Sequence, residues 1–108
     1  EIFEGIDWNT QTISFEIDKY GTNGFTKITV SDTEKEQLVE ALKSAKFKKT
    51  SEPVGSKDVY TVTLKTNKPF TFFINTEKGL IVTFYMEKDT TYEFENNEFI
   101  DLLLKLNQ

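Results

Sequence analysis

A chain of 108 residues and 12.5 kDa, with a net charge of −5, has room for one hydrophobic core but not two. Apolar residues make up only 37%, yet ten Phe, four Tyr and one Trp supply large rings. Each ring buries on the order of 150–250 Å², so a folded core is expected and wholesale disorder is not. The lack of His and Cys excludes cysteine nucleophiles, disulfides, zinc sites of the Cys/His kind and histidine acid–base chemistry, and no apolar run reaches the roughly 18 residues of a membrane-spanning helix.

All thirteen cations are lysines. Without Arg there is no guanidinium fork for phosphate or for guanine, and with a net negative charge a nucleic-acid partner is not expected. The wealth of Lys, Asn, Ile, Phe and Thr beside only two Ala fits an AT-rich coding genome, as in many low-GC Gram-positive bacteria. Met86 is the only methionine, so the chain is expected to be trimmed or processed, with a signal peptide or lipid-anchor segment conceivable ahead of Glu1.

Residues 1–11 read as an N-terminal arm or an edge strand carrying Ile2, Ile6 and Trp8. Residues 12–20 alternate, with Ile13, Phe15 and Ile17 to one side and Ser14, Glu16 and Asp18 to the other. The turn Gly21-Thr22-Asn23-Gly24 returns the chain into Phe25–Val30 as a hairpin. Ser31 and Glu34 form a capping-box pattern ahead of a helix expected over Asp32–Lys46, with Leu38, Val39, Leu42 and Ala45 on its apolar stripe. Residues 47–57, punctuated by Pro53 and Gly55, read as a loop.

Three strands follow, Asp58–Thr66, Phe70–Thr76 and Leu80–Met86, and then a short one over Thr91–Phe94. Tyr60, Val62 and Leu64 face inward on the first and Phe70, Phe72 and Ile74 on the second, with Phe73 opposite. On the third, Leu80, Val82, Phe84 and Met86 are placed inward, with Ile81 and Tyr85 on the other face. Asn96 or Asn97 caps a last helix bearing Phe99, Leu102, Leu103 and Leu106. Turns of two to four residues force antiparallel pairing. The expected fold is therefore α+β in a single domain over 1–108: an antiparallel sheet of five to seven strands, ordered hairpin, helix, four-strand meander, helix. Both helices pack on one face, and Leu38, Leu42, Phe72, Phe84, Leu102 and Leu103 share one core.

Catalytic motifs are sparse. The S-x-x-K spacing is absent, Gly55-Ser56-Lys57 is a fragment of a phosphate loop with Asp58 where the hydroxyl belongs, and no Glu closes a calcium loop begun at Asp18. Among eighteen acids some carboxylate pair is inevitable and carries no information. Neither a cofactor nor a metal is expected.

Three surface features remain. Lys43–Lys57 holds five Lys (Lys46, Lys48 and Lys49 among them) against Glu52, and would suit anionic lipid or cell-wall phosphate unless it is simply a helix end and a solvated loop. Glu87–Asp101 holds six acids, including Glu93 and Glu95, against Lys88, and would suit a basic partner unless it is helix-start acids and a solvated edge. Phe73, Ile81 and Tyr85, joined by Tyr20 and Phe25, would form an apolar contact patch unless Trp8 and the arm cover it.

The hairpin around Ile13–Val30, the helix SDTEKEQLVEALKSAKF, the meander DVYTVTLKT, PFTFFINT, LIVTFYM and the closing FIDLLLKL together resemble the small extracytoplasmic domains of unknown function in lipoproteins of low-GC Gram-positive bacteria. That resemblance is one of architecture and composition. It implies a secreted, membrane-tethered domain with no known catalysis, and the first reading is a non-catalytic interaction module outside the cytoplasm that meets another protein through its sheet face. A different class also fits: a small acidic immunity protein, cytoplasmic, neutralising a basic toxin through Glu87–Asp101. An enzyme working with carboxylates alone is the third reading. Without histidine, the thermal midpoint should stay level between about pH 6 and 8, because ordinary carboxylates and lysines titrate outside that window. A calorimetric series across it that moves by several degrees would reveal a buried, perturbed acid or lysine.

Overall fold

The computed structural model describes residues 2–3, 5–9, 11–21, 23–55, 57, 59–67, 69–85 and 88–106, with Tyr85 described by its backbone alone. The chain forms β1 (Ser14–Gly21), β2 (Gly24–Ile28), α1 (Asp32–Ser44), β3 (Phe47–Thr50), β4 (Val59–Lys65), β5 (Pro69–Asn75), β6 (Leu80–Tyr85), β7 (Lys88–Phe94) and α2 (Glu98–Lys105). The strands make one seven-stranded sheet in the order β2-β1-β4-β5-β6-β7-β3, and every neighbouring pair is antiparallel. This is the α+β fold with an antiparallel sheet that the alternating segments and short turns require.

Local chemistry accounts for most element boundaries. Gly21 pairs with Gly24 at the hairpin, and Gly24 adopts a φ of 94°, which its lack of a Cβ permits. The capping box of α1 forms in full: Glu34 N–H donates to Ser31 Oγ at 3.2 Å, and Ser31 N–H donates to Glu34 Oε1 at 2.9 Å. The helix ends at Ser44, two residues before the expected end, because Ala45 is already extended. Asn97 occupies the cap position of α2 without a side-chain bond, and Asn96 Oδ1 instead accepts from Glu98 N–H at 3.1 Å.

Cross-strand register sorts the side chains onto two faces. The inner face carries Ile17, Tyr60, Val62, Leu64, Phe72, Ile74, Ile81 and Phe94, all buried in one cluster with Leu38, Val39, Ala41 and Leu42 of α1 and Phe99, Ile100 and Leu103 of α2. Both helices thus cover the same face. Leu102 is only partly buried against this cluster.

Two expectations are corrected and one alternative is narrowed. Residues 47–57 are not all loop: Phe47–Thr50 form β3, which pairs with β7 at the edge of the sheet. The residues described in the arm form no strand, and the residue that matters there is Phe3, 5% exposed. Its ring lies 5.9 Å from Phe47, 5.5 Å from Phe70 and 5.5 Å from Phe72. Strands β5 and β3 are three spacings apart, about 14 Å along a flat sheet. One ring touching both means that the sheet curls and its side chains lean inward.

The second correction is the phase of β6. Ile74 stands opposite Ile81, and Ile81 is fully buried in the core. Phe84 therefore points away from the core and is 40% exposed. The alternation misleads because β6 is buried on both sides at its start: Leu80, Ile81, Val82 and Thr83 are all buried. A strand apolar on both faces has no period to read.

Leu103→Ala should cost about 2–5 kcal/mol, as for any wholly buried leucine, while Leu102→Ala should cost clearly less. Urea melts of the two variants check this; equal losses would mean that α2 packs a different stripe.

Candidate binding surface

The face of the sheet turned away from the helices is built from the alternate residues of each strand. Along one row stand Lys27, Asp18, Thr61, Phe73, Val82, Thr91 and Thr50, each opposite the next. A second row includes Val59, Asn75, Leu80, Glu93 and Lys48. In this second row Val59, Asn75 and Leu80 are buried, yet they lie outside the helix-side cluster.

Asn75 shows what lies over them. Its Nδ2 donates to Val54 O at 2.6 Å and to Lys57 O at 3.2 Å, and its Oδ1 accepts from Lys78 N–H at 2.9 Å. Lys78 Nζ adds a bond to Pro53 O at 3.1 Å. These bonds fix the segment after β3 across that end of the outer face. Gly79, with a φ of 70°, closes the β5–β6 turn as its N–H donates to Asn75 O at 3.0 Å.

The segment leaves two aromatic pairs beyond it. Phe73 and Phe84 meet edge to face with centroids 4.9 Å apart, Phe73 half-buried and Phe84 the more open. Around them lie hydroxyls, including Thr63 and Thr71 bonded to each other at 2.9 Å, and Asp89 stands directly opposite Phe84. At the hairpin, Tyr20 (45% exposed) and Phe25 (63%) form the second pair, 5.3 Å apart. Trp8 does not cover this face; its ring meets Phe3, and it packs on the helix-side core.

The expected contact residues thus separate. Phe73 lies on the outer face as expected, joined by Phe84. Ile81 does not, being wholly in the core through the inverted phase of β6. Tyr85 has its backbone paired with Lys88, and its side chain lies outside the described residues, as does Met86. The arm residue Phe3 and the buried amide of Asn75 escaped sequence reasoning. Phe3 sits in no periodic pattern, and an Asn at the end of a strand just before a turn reads as turn chemistry.

The two charged segments come together rather than forming separate surfaces. Lys48 stands directly opposite Glu93 across β3 and β7, and Lys49 opposite Tyr92. Glu95 N–H donates to Lys46 O at 2.9 Å, and both side chains line one open cleft of about 540 Å³ with Ile2, Lys43, Phe47 and Tyr92. Opposite charges facing each other across a ladder are favourable and cancel at a distance.

The chain matches no known family model, no curated protein and no solved structure.

One further ion pair marks the outer face. Lys65 Nζ hydrogen-bonds Glu16 Oε2, and this bond, followed by the lysine's charge, holds the Glu16 carboxyl below its ordinary 4.5 against a small opposing effect of burial. A depressed folded pKa gives stability that is present above the ordinary carboxylate range and lost as pH falls through the folded value. Lys65→Met should move the Glu16 titration upward toward 4.5, followed by its carboxyl carbon shift in an NMR pH series. An unmoved titration would mean that the pair does not form in solution.

Proposed function

We propose that this domain is a non-catalytic binding module, the extracytoplasmic part of a bacterial surface lipoprotein, that meets a protein partner through the outer face of its sheet. The observation that carries the reading is the Phe73–Phe84 pair. It is an apolar centre 4.9 Å across its rings, on the face opposite the helices, within a rim of threonines, Asp89 and the Glu16–Lys65 pair. An apolar centre with a polar rim is the anatomy of a small protein–protein contact. The absence of His and Cys agrees with a role in binding. The extracytoplasmic and lipoprotein parts of the reading rest on composition and architecture.

The immunity-protein alternative loses support from the register. Its acidic strip has Lys48 opposite Glu93 and Lys46 beside Glu95, so the strip presents both signs to a basic toxin.

Phe84→Ser should abolish partner capture by the immobilised domain at a stability cost of about 0.5–1.5 kcal/mol, chiefly the lost ring pair with Phe73, since Phe84 is 40% exposed. Capture by the native domain, by this variant and by Phe25→Ser as a control at the hairpin is compared by mass spectrometry, with thermal melts alongside. An identical set of captured proteins for native and Phe84→Ser would sink the reading.

A further inference from the structure

The strand order leaves β2 and β3 at the two edges of the sheet. Among the described residues β2 pairs with β1 alone, and four of its five residues are exposed. Gly21 pairs with Gly24 across a two-residue loop, and a loop of that length is closed by a hydrogen-bonded pair. Alternation along the ladder then bonds Thr26 and Ile28 to Lys19 and Ile17. The N–H and C=O groups of Phe25 and Lys27 are left pointing away from the sheet. An open row of this kind is a template for another strand.

Charge and closure select the strand that fits. Joining β3 to β3 would bring Lys48 and Lys49 of two copies together. Joining β2 to β3 is head-to-tail, adds copies without closing, and sets Lys27 beside the same lysines. Joining β2 to β2 closes on a two-fold axis, and each Lys27 already has Asp18 opposite it on β1. The outward groups then fix the register. Centred on Thr26, Phe25 of each copy stands opposite Lys27 of the other, and every outward N–H and C=O of both residues finds a partner. Centred on Phe25, the pairing would set Lys27 against Asn23 of the turn; centred on Lys27, it would set the two lysines against each other. The Thr26 register also brings each Lys27 ammonium to the other copy's Phe25, whose ring is 63% exposed and pairs with Tyr20.

We propose that β2 is a homodimerisation edge: two copies of this chain join antiparallel through β2, centred on Thr26, into one continuous fourteen-stranded sheet, twice the seven strands of one copy. A two-fold axis normal to the sheet keeps both outer faces on the same side. Phe73 on β5 lies three strand spacings from the edge, about 14 Å, so the dimer leaves the aromatic surface described above open and presents it twice. The contact is small, and the dimer is expected to exchange with monomer rather than to be permanent.

Sedimentation equilibrium tests this on the full chain, at about 0.15 M salt to screen the repulsion between two acidic copies. With chain concentration raised to roughly 1 mM, the mass should climb from 12.5 kDa toward twice that value and stop there. Lys27→Pro removes an outward N–H and no bond to β1, so it should weaken dimerisation at least tenfold and leave the far-UV circular dichroism unchanged. Cross-linking reads the register. The chain has no Cys, and the opposed residues of a non-hydrogen-bonded pair stand about 4.5 Å apart at Cα, within disulfide reach. Thr26→Cys should therefore oxidise to a covalent dimer at least tenfold faster than Lys49→Cys on the β3 edge, and this comparison decides the matter if Lys27→Pro does not fold. A chain that stays monomeric overturns the proposal and leaves the edge to another protein's strand. Masses that climb past the dimer, a dimer indifferent to Lys27→Pro, or equal cysteine rates overturn it as well.

Discussion

The winding of this chain depends on the buried amide of Asn75. Strand β3 lies at one edge of the sheet and β4 lies four spacings away, about 19 Å. Residues 51–58 must cover that distance, and a fully extended run of that length spans only about 26–29 Å. The reach suffices for a crossing over the outer face, where the carbonyls of Val54 and Lys57 lie over Asn75. A backbone crossing a sheet face has no ladder of its own, and its carbonyls need donors. Asn75 supplies two of them, to Val54 O and Lys57 O, and spends its own oxygen on the Lys78 N–H of the next turn. One side chain thereby joins the crossing segment, a central strand and the β5–β6 turn.

That clamp also shapes the candidate surface. Where the segment is tied down, Val59, Leu80 and Asn75 are buried although they face away from the helices. Phe84 and Phe73 lie farther along the strands, at the uncovered end. A complete outer apolar face would invite aggregation, and a fully polar one would give a partner little to hold. Covering half of it leaves a compact aromatic pair among hydroxyls. The binding module we propose is in this sense a by-product of how β3 reaches its place.

Sequence reading succeeded in the longer elements that keep one face wet. In β1, β4 and β5 the alternation named the inward residues correctly, and Ser31 with Glu34 located the start of α1 to the residue. It failed in β6, where the crossing segment buries the second face and erases the contrast on which alternation depends. It missed β3 because Phe-Lys-Lys-Thr is four residues long and two of them are exposed lysines. Its pairing with β7 is a long-range fact that no local window holds. Phe3 was invisible for the same reason: an isolated ring in an arm without a period declares nothing about the slot that receives it.

Charge taught the complementary lesson. Read along the chain, Lys43–Lys57 and Glu87–Asp101 are opposite blocks that suggest two partners. Read across the β3–β7 ladder, they are one mixed strip in which Lys48 faces Glu93. The pairing helps explain why β3 forms at all. A four-residue edge strand with two lysines gains little from burial, and an acidic neighbour offsets the cost of bringing those cations to a sheet edge. Exposed lysines on an edge strand also discourage a second sheet from adding there. On the helix side of the strip the cations are largely matched as well, Lys43 by Glu40 at 3.9 Å and Lys46 by the neighbouring Glu95.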